Sequence, residues 1–265
     1  MKNSSIANGS GAAFRELFRS GKHAGPTAGL APGLVQANLV ILPKELAYDF
    51  LLFCQRNPKP CPILEVTAAG CYEAKETAPG SDLRTDLPKY RVFRYGELVA
   101  ETTDISKYWQ DDFVSFLLGC SFTFEGALQE AGIEVRHITL QRNVPMYITK
   151  RQCKGAGIMQ GPLVVSMRPM LPCNVVKAVQ VTSRYHAVHG APVHIGDPLA
   201  LGIADLSKPD MGDAVDVLPG EIPVFWACGC TPQAVVMGVK PPLVITHAPG
   251  HMFITDWHDK DLLTY

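Results

Sequence analysis

The chain has 265 residues, 47% of them hydrophobic and 18% charged, which excludes a disordered chain and provides enough apolar side chains for a large core. Its formal net charge of -1, with no lysine or arginine block, excludes an electrostatic footprint for nucleic acid or an anionic membrane. No apolar run approaches a membrane span, so we expect a soluble, cytoplasmic protein whose partner is a small acidic molecule, with self-association into a homo-oligomer left open.

The opening Met1-Lys-Asn-Ser-Ser-Ile leads into Gly and Ala rather than an apolar core segment, so no export leader is expected. An amphipathic run over 12–19 predicts a short helix ended by Gly21, and a Gly/Pro loop over 25–33 is expected to wrap the surface or a site. Pro43 opens a helix through Leu46, Phe50 and Phe53 that stops before Pro58 and Pro60. Residues 62–67 read as a strand, 91–99 as a hairpin turning at Gly96, and 112–120 as a strand leading into a helix over 125–131, ended by Gly132. The texture changes at Ile133. Residues 134–140, 146–149 and 162–167 read as strands and 174–184 as a helix, followed by a turn-rich stretch to Asp213. The last part returns to the first texture: a strand over 223–227, a helix from Pro232, a strand over 243–247, a Pro249-Gly250 turn, and a strand over 252–256. The expected fold class is α/β with an inserted α+β two-layer subdomain and mixed sheets. Residues 1-132 and 214-265 form the discontinuous α/β domain in this reading, and 133-213 the insert.

One pattern occurs twice. Phe116-Leu-Leu-Gly-Cys120-Ser-Phe-Thr123-Phe-Glu125 and Val224-Phe-Trp-Ala-Cys228-Gly-Cys-Thr231-Pro-Gln233 each run from an apolar strand through Cys-x-x-Thr into a helix. Thr123 and Thr231 are expected to cap those helices, with Pro232 at the first helical position. A helix N-terminus offers unpaired N–H groups and partial positive charge, so two of them facing across a cleft suit a ligand with two carboxylates. Taken singly, each copy is an ordinary strand-helix turn with a buried cysteine. The eight cysteines are scattered through a chain too large to need staples, so reduced thiols are expected.

Six of the eight histidines lie in the last third of the chain. His189 and His194, like His247 and His251, are separated by a proline-containing turn and form no two-ligand helical face. Asp197, Asp205 and Asp210 could complete a His/carboxylate set, but the spacing matches no metal motif, and no metal or other cofactor is expected. Arg84 lies between Asp82 and Asp86 in a loop, and Arg168 ends a central strand; either guanidinium can grip a carboxylate with two parallel hydrogen bonds. Arg136 reads as a structural ion-pair partner. Lys154-Gly-Ala-Gly157 is too short for a phosphate loop.

The phrases Gly80-Ser-Asp-Leu-Arg-Thr-Asp-Leu-Pro88, Gly119-Cys-Ser-Phe-Thr-Phe-Glu125, Val164-Val-Ser-Met-Arg-Pro169, His189-Gly-Ala-Pro-Val-His-Ile-Gly-Asp-Pro198, Phe225-Trp-Ala-Cys228, Thr231-Pro-Gln233 and Thr246-His-Ala-Pro-Gly-His251 resemble those of the D-glutamate cyclase family, whose bacterial members carry the label hydro-lyase. The resemblance runs from about Phe14 to Asp256. Cys230 departs from it, since an apolar residue is expected there, which implies that this thiol is dispensable. The resemblance implies an α/β domain joined to a smaller two-layer α+β domain. It also implies a lyase of amino acid metabolism that closes D-glutamate to 5-oxo-D-proline with loss of water. By analogy, the Cys-x-x-Thr corners are similar to the paired Cys/Thr turns of glutamate and aspartate racemases.

Such a cyclisation needs a base for the ammonium, donors for the oxyanion, and a folded substrate. Glu125 or Asp86 is then the base, His189 or His194 the acid, and Arg84 or Arg168 the holder of the α-carboxylate. Cys120 and Cys228 are further catalytic candidates or else only line the pocket, with Ser121, Thr123, Thr231 and His247 as further substrate contacts. Two other readings stay open: a metal-assisted hydro-lyase acting on a small hydroxy acid, and a non-catalytic binding protein for acidic amino acids.

Overall fold

The computed structural model describes residues 9–263, so the opening Met1-Lys-Asn-Ser-Ser-Ile, read above as carrying no leader, lies outside the described residues. Helix α1 (Gly11–Arg19) starts at Ser10, whose side chain accepts from Ala13 N–H, and buries Phe14 and Phe18, one turn apart, against Leu34 and Ile254. Next come β1 (Leu34–Pro43), α2 (Lys44–Arg56), β2 (Ile63–Val66), β3 (Tyr90–Arg94), β4 (Glu97–Thr102) and β5 (Phe113–Gly119). The chain continues through α3 (Phe122–Glu130), α4 (Arg136–Thr139), β6 (Met146–Gln152), β7 (Pro162–Met170), α5 (Pro172–Ser183), β8 (His194–Ile195) and β9 (Ile222–Ala227). It closes with α6 (Cys230–Val239), β10 (Val244–His247) and β11 (Phe253–His258).

The strands form two sheets. The larger has the order β2-β5-β1-β10-β3-β4, with β11 also paired to β1; the smaller has the order β6-β7-β9-β8. Strand β1 is buried along its whole length because both faces of its sheet are covered. Ala37, Leu39 and Ile41 pack under the loops that carry Ala74, Ala78, Leu83 and Leu87. Val40 and Leu42 pack against α2 and α6 through Phe50, Phe53, Val235 and Val236. On this second face β1 carries Gln36 and Asn38 at its other end, so an apolar face turns amide-rich there.

The class of helices packed on sheets is as expected, but the sheets are not mixed: every pairing among the described residues is antiparallel. The reason lies in the two corners. After β5 the chain passes through α3 and α4 into the smaller sheet, and after β9 it passes through α6 back into the larger one. Neither helix returns the chain beside the strand it left, which is what a parallel pair requires. Strand β9, expected to rejoin the first sheet, therefore pairs with β7 and β8 instead. We propose that the inserted unit is this four-stranded sheet with its helices.

Two other readings change. The stretch 134–140 is no strand; Ile133, Val135 and His137 do alternate in burial, but the chain makes one helical turn, α4, and has no neighbouring strand to bond. Strand β1, the centre of the larger sheet, had no counterpart among the expected elements.

Candidate active site

The two Cys-x-x-Thr corners are built alike. Gly119, the last residue of β5, faces Ala37 of β1, and Thr123 Oγ1 accepts from the N–H of the preceding residue, Gln36, at 3.2 Å. Ala227, the last residue of β9, faces Val165 of β7, and Thr231 Oγ1 accepts from Val164 N–H at 3.0 Å. Thr123 N–H donates to Cys120 O at 3.1 Å and Thr231 N–H to Cys228 O at 3.0 Å. The threonines are thus pins between a helix and the neighbouring strand, not caps. Both helices start earlier than expected, at caps Ser121 and Gly229 that already have helical backbone angles and make no side-chain cap bond. Thr123, Thr231 and Pro232 consequently fall inside the first turn.

The corners meet in one pocket. Cys120, Ser121 and Phe122 line it from one side, Cys228, Gly229 and Cys230 from the other, with Asn38, Asn143, Val144, Met146, His247, Gly250 and Met252 completing it. The pocket is narrow, with a volume of about 20 Å³, room for about one water. Asn38 joins the corners. Its Nδ2 donates to Gly119 O at 2.8 Å and Leu118 O at 3.3 Å, and its amide fills the place a Cβ on Gly229 would take.

The thiols are driven apart in acidity. Cys228 is held below the usual thiol value by a hydrogen bond from the Cys230 thiol, against burial, with help from Cys230 N–H and the charge of Arg168. Burial pushes Cys120 well above that value, although Phe122 N–H donates to it. Cys230, implied to be dispensable, therefore lines the pocket and tunes its neighbour. His247 is brought down to about 4 by burial and is neutral at pH 7. Its Nδ1 lies 3.1 Å from Leu39 N and 3.3 Å from Leu39 O; with the shorter contact, an N–H donor, made to Nδ1, the ring proton sits on Nε2. Gln233 of α6 packs on the same ring, its amide nitrogen 2.8 Å from Nδ1.

Behind the first corner lies a buried charge cluster. Arg168 Nη2 donates to Ser121 Oγ at 2.9 Å, and its guanidinium pairs with Glu125 Oε1, the Nε contact being 3.1 Å. His137 Nε2 lies 3.1 Å from the same oxygen without the alignment of a hydrogen bond. Burial opposes the charge on Glu125, but His137 and Arg168 outweigh it and hold the carboxyl below its usual range.

The remaining candidates lie elsewhere. Asp86 is fully buried and takes both nitrogens of Arg19, at 2.8 and 2.7 Å, together with Asp82 N–H. Arg84 pairs with Asp82 at 2.7 Å and stacks 3.7 Å over the Tyr72 ring. His189 is buried with φ of 88°, its Nδ1 2.8 Å from Lys59 O, and burial lowers it to about 4. His194 Nε2 lies 2.7 Å from Asp197 O. None of these four lines the pocket, because each is committed to another protein group. Asp197 and Asp205 accept from Leu199 and Ser207 N–H, closing their own turns, and Asp210 accepts from Ile148 N–H of β6. The pocket residues that the sequence reading did not single out include Asn38, Asn143, Val144, Met146, Gly250 and Met252. For Asn38 a signal was available, an amide inside a ten-residue apolar run.

A family model described as D-glutamate cyclase matches residues 114–256. A protein from Stutzerimonas stutzeri named "Putative hydro-lyase" is 62% identical over 95% of each chain. Proteins of the same name class from Geobacillus kaustophilus and Bacillus subtilis are 63% and 61% identical, over 94% of this chain and 94% and 96% of theirs. Among solved structures, a nitrogen repressor-like protein from Methanococcus jannaschii aligns over 92% of this chain and 94% of its own at 10% identity with a TM-score of 0.40, too distant to carry an argument. On the match to residues 114–256 and the near-full-length relatives, the chain belongs to the D-glutamate cyclase family of lyases.

Proposed function

We propose that the pocket closes D-glutamate to 5-oxo-D-proline with loss of water. The observation that supports this most strongly is the pair of corner thiols, Cys120 and Cys228, lining one pocket with their acidities shifted in opposite directions. Groups of one kind pushed apart in this way suit an acid and a base.

The α-ammonium has no lone pair until it loses a proton, and Cys228 as thiolate takes it. The amine then attacks the γ-carboxyl carbon, forming the C–N bond and a tetrahedral centre. Backbone N–H groups of one corner, with His247 Nε2–H, hold the oxyanion and those of the other corner hold the α-carboxylate, the substrate drawing them from their present contacts to Cys120 and Cys228. The C–O bond breaks as the Cys120 thiol protonates the departing oxygen. Two protons leave the nitrogen and both end on that oxygen, so the second resets the thiols. Arg168 acts through Ser121, adding positive charge behind the first corner, and Glu125 keeps Arg168 in place. Because the pocket is narrow, lining side chains such as Phe122, Asn143 and Met252 must move to admit a substrate. Eight free cysteines fit a reducing, cytoplasmic setting.

Incubation with D-glutamate, L-glutamate and a panel of small hydroxy acids, with mass detection, tests this. A product lighter by one water from D-glutamate supports it. Turnover only of a hydroxy acid with chelator sensitivity, or stabilisation by D-glutamate without product, refutes it in favour of one of the two other readings.

A further inference from the structure

A second cavity, of about 110 Å³, lies beside the first turn of α3, and Phe122 lines both it and the thiol pocket. Two of its lining residues, Glu125 and Gln36, are 2% and 3% exposed, and each leaves an acceptor without a hydrogen bond: Glu125 Oε2 and Gln36 Oε1. Unpaired buried acceptors of this kind are costly. The amide orientation of Gln36 is fixed, since its Nε2 donates to Thr27 O at 3.1 Å, so Oε1 is the atom left over. Glu125 Oε1 is taken by Arg168, so Oε2 is likewise the free oxygen. The lining contains a second carboxylate, Asp259, and no lysine, arginine or histidine. Asp259 has no salt bridge among the described residues.

We propose that this cavity is a binding site for one small monovalent cation, potassium or ammonium, held by Glu125 Oε2, Gln36 Oε1 and Asp259. Charge selects the valence. Arg168 and His137 both flank Glu125 Oε1, so Asp259 is the lining carboxylate left without a basic partner among the described residues, and a single positive charge on the occupant balances it. The cavity has room for a bare cation with a few waters. The site also touches the thiol pocket mechanically. Gln36 holds Thr27, whose N–H and hydroxyl donate to Gly250 O at 2.8 and 3.2 Å and whose hydroxyl accepts from Met252 N–H at 3.0 Å. Gly250 and Met252 line the thiol pocket. A cation that fixes Gln36 therefore steadies that rim.

The test is thermal unfolding of the full chain, dialysed into choline chloride and titrated with potassium, ammonium or sodium chloride at constant ionic strength. Crystals soaked in rubidium chloride supply the location. A saturable rise in Tm with potassium or ammonium over choline, and an anomalous rubidium peak between Glu125 and Gln36, are expected. Asp259→Asn, at the half-exposed rim, should raise the half-saturating concentration by about tenfold, and Gln36→Leu should abolish the dependence. Identical Tm in every salt with no rubidium peak means that the cavity holds water only, and overturns the proposal. An unchanged half-saturation in Asp259→Asn overturns it as well, even if Gln36→Leu fails to fold. Both readouts are independent of turnover, so they stand or fall apart from the proposed activity.

Discussion

Replacing Gly229 by alanine tests whether the two corners are locked together through Asn38. Gly229 has φ of -64° and ψ of -4°, so alanine meets no backbone strain there. The loss of a glycine cap and the gain in unfolded-state stiffness are each well under about 1 kcal/mol and opposite in sign. What remains is the collision of the new Cβ with the Asn38 amide. That amide is buried and donates to two carbonyls of β5, at 2.8 and 3.3 Å. Forcing it away costs about 1–3 kcal/mol of overpacking, with a similar amount if a buried polar group is left unpaired. We therefore expect Gly229→Ala to lose about 2–5 kcal/mol in urea unfolding, and about 10²-fold in kcat as the corners part by a fraction of an ångström to an ångström. Asn38→Ala removes the obstacle. The double variant should thus be more stable than the sum of the singles implies, with a coupling of about 1–3 kcal/mol. Additive losses, or a Gly229→Ala protein within about 0.5 kcal/mol of its parent with full turnover, would refute the reasoning.

Cys228→Ser should lower kcat with D-glutamate by at least about 10²-fold and Cys120→Ser by about 10- to 10²-fold, with the fold intact by circular dichroism; unchanged kinetics in both would exclude thiol chemistry. Glu125→Gln should destabilise by about 3–5 kcal/mol, because Arg168 would remain buried without its counter-charge, and denaturant titration reads this directly. Acid should unfold the protein early. His189 and His247, each near 4 when folded and 6.5 when unfolded, are neutral in the folded chain while the unfolded chain takes up their protons, so stability falls as pH drops from 6.5 to 4. Together they contribute a slope of about 2.7 kcal/mol per pH unit across that window. Glu125, held low in the fold, adds a stability that is present above its unfolded value of about 4.3 and is lost as pH falls through the folded one. A flat pH dependence of stability between 6.5 and 4 would contradict the burial of both rings.

Much of the element map is legible in the chain because helix and strand periods survive locally. The hairpin at Gly96 is an example: Tyr95 and Gly96 both have positive φ, as a two-residue turn between twisted strands requires. The recurrence of Cys-x-x-Thr was legible for the same reason. What the sequence did not carry was which strand each segment pairs with. Period-two burial at Ile133, Val135 and His137 looks the same whether or not a neighbour is there to bond. Strand β9 has the apolar texture of the larger sheet yet belongs to the smaller one, since hydrophobicity does not encode partners. The charged candidates failed to gather for a related reason. Arg84, Asp86 and His194 lie in tight polar loops, where a side chain serves the backbone of its own turn as readily as a ligand. Asn38 was hidden because its meaning depends on Gly229, 191 positions away.

The most direct measurement is a crystal structure with glutarate, a five-carbon diacid that has no amine and cannot cyclise. The account predicts one carboxylate on backbone N–H groups of the first corner and the other on those of the second, with Cys120 and Cys228 flanking the chain between them. Glutarate bound at Arg84, on the surface, or with both carboxylates at one corner would contradict it.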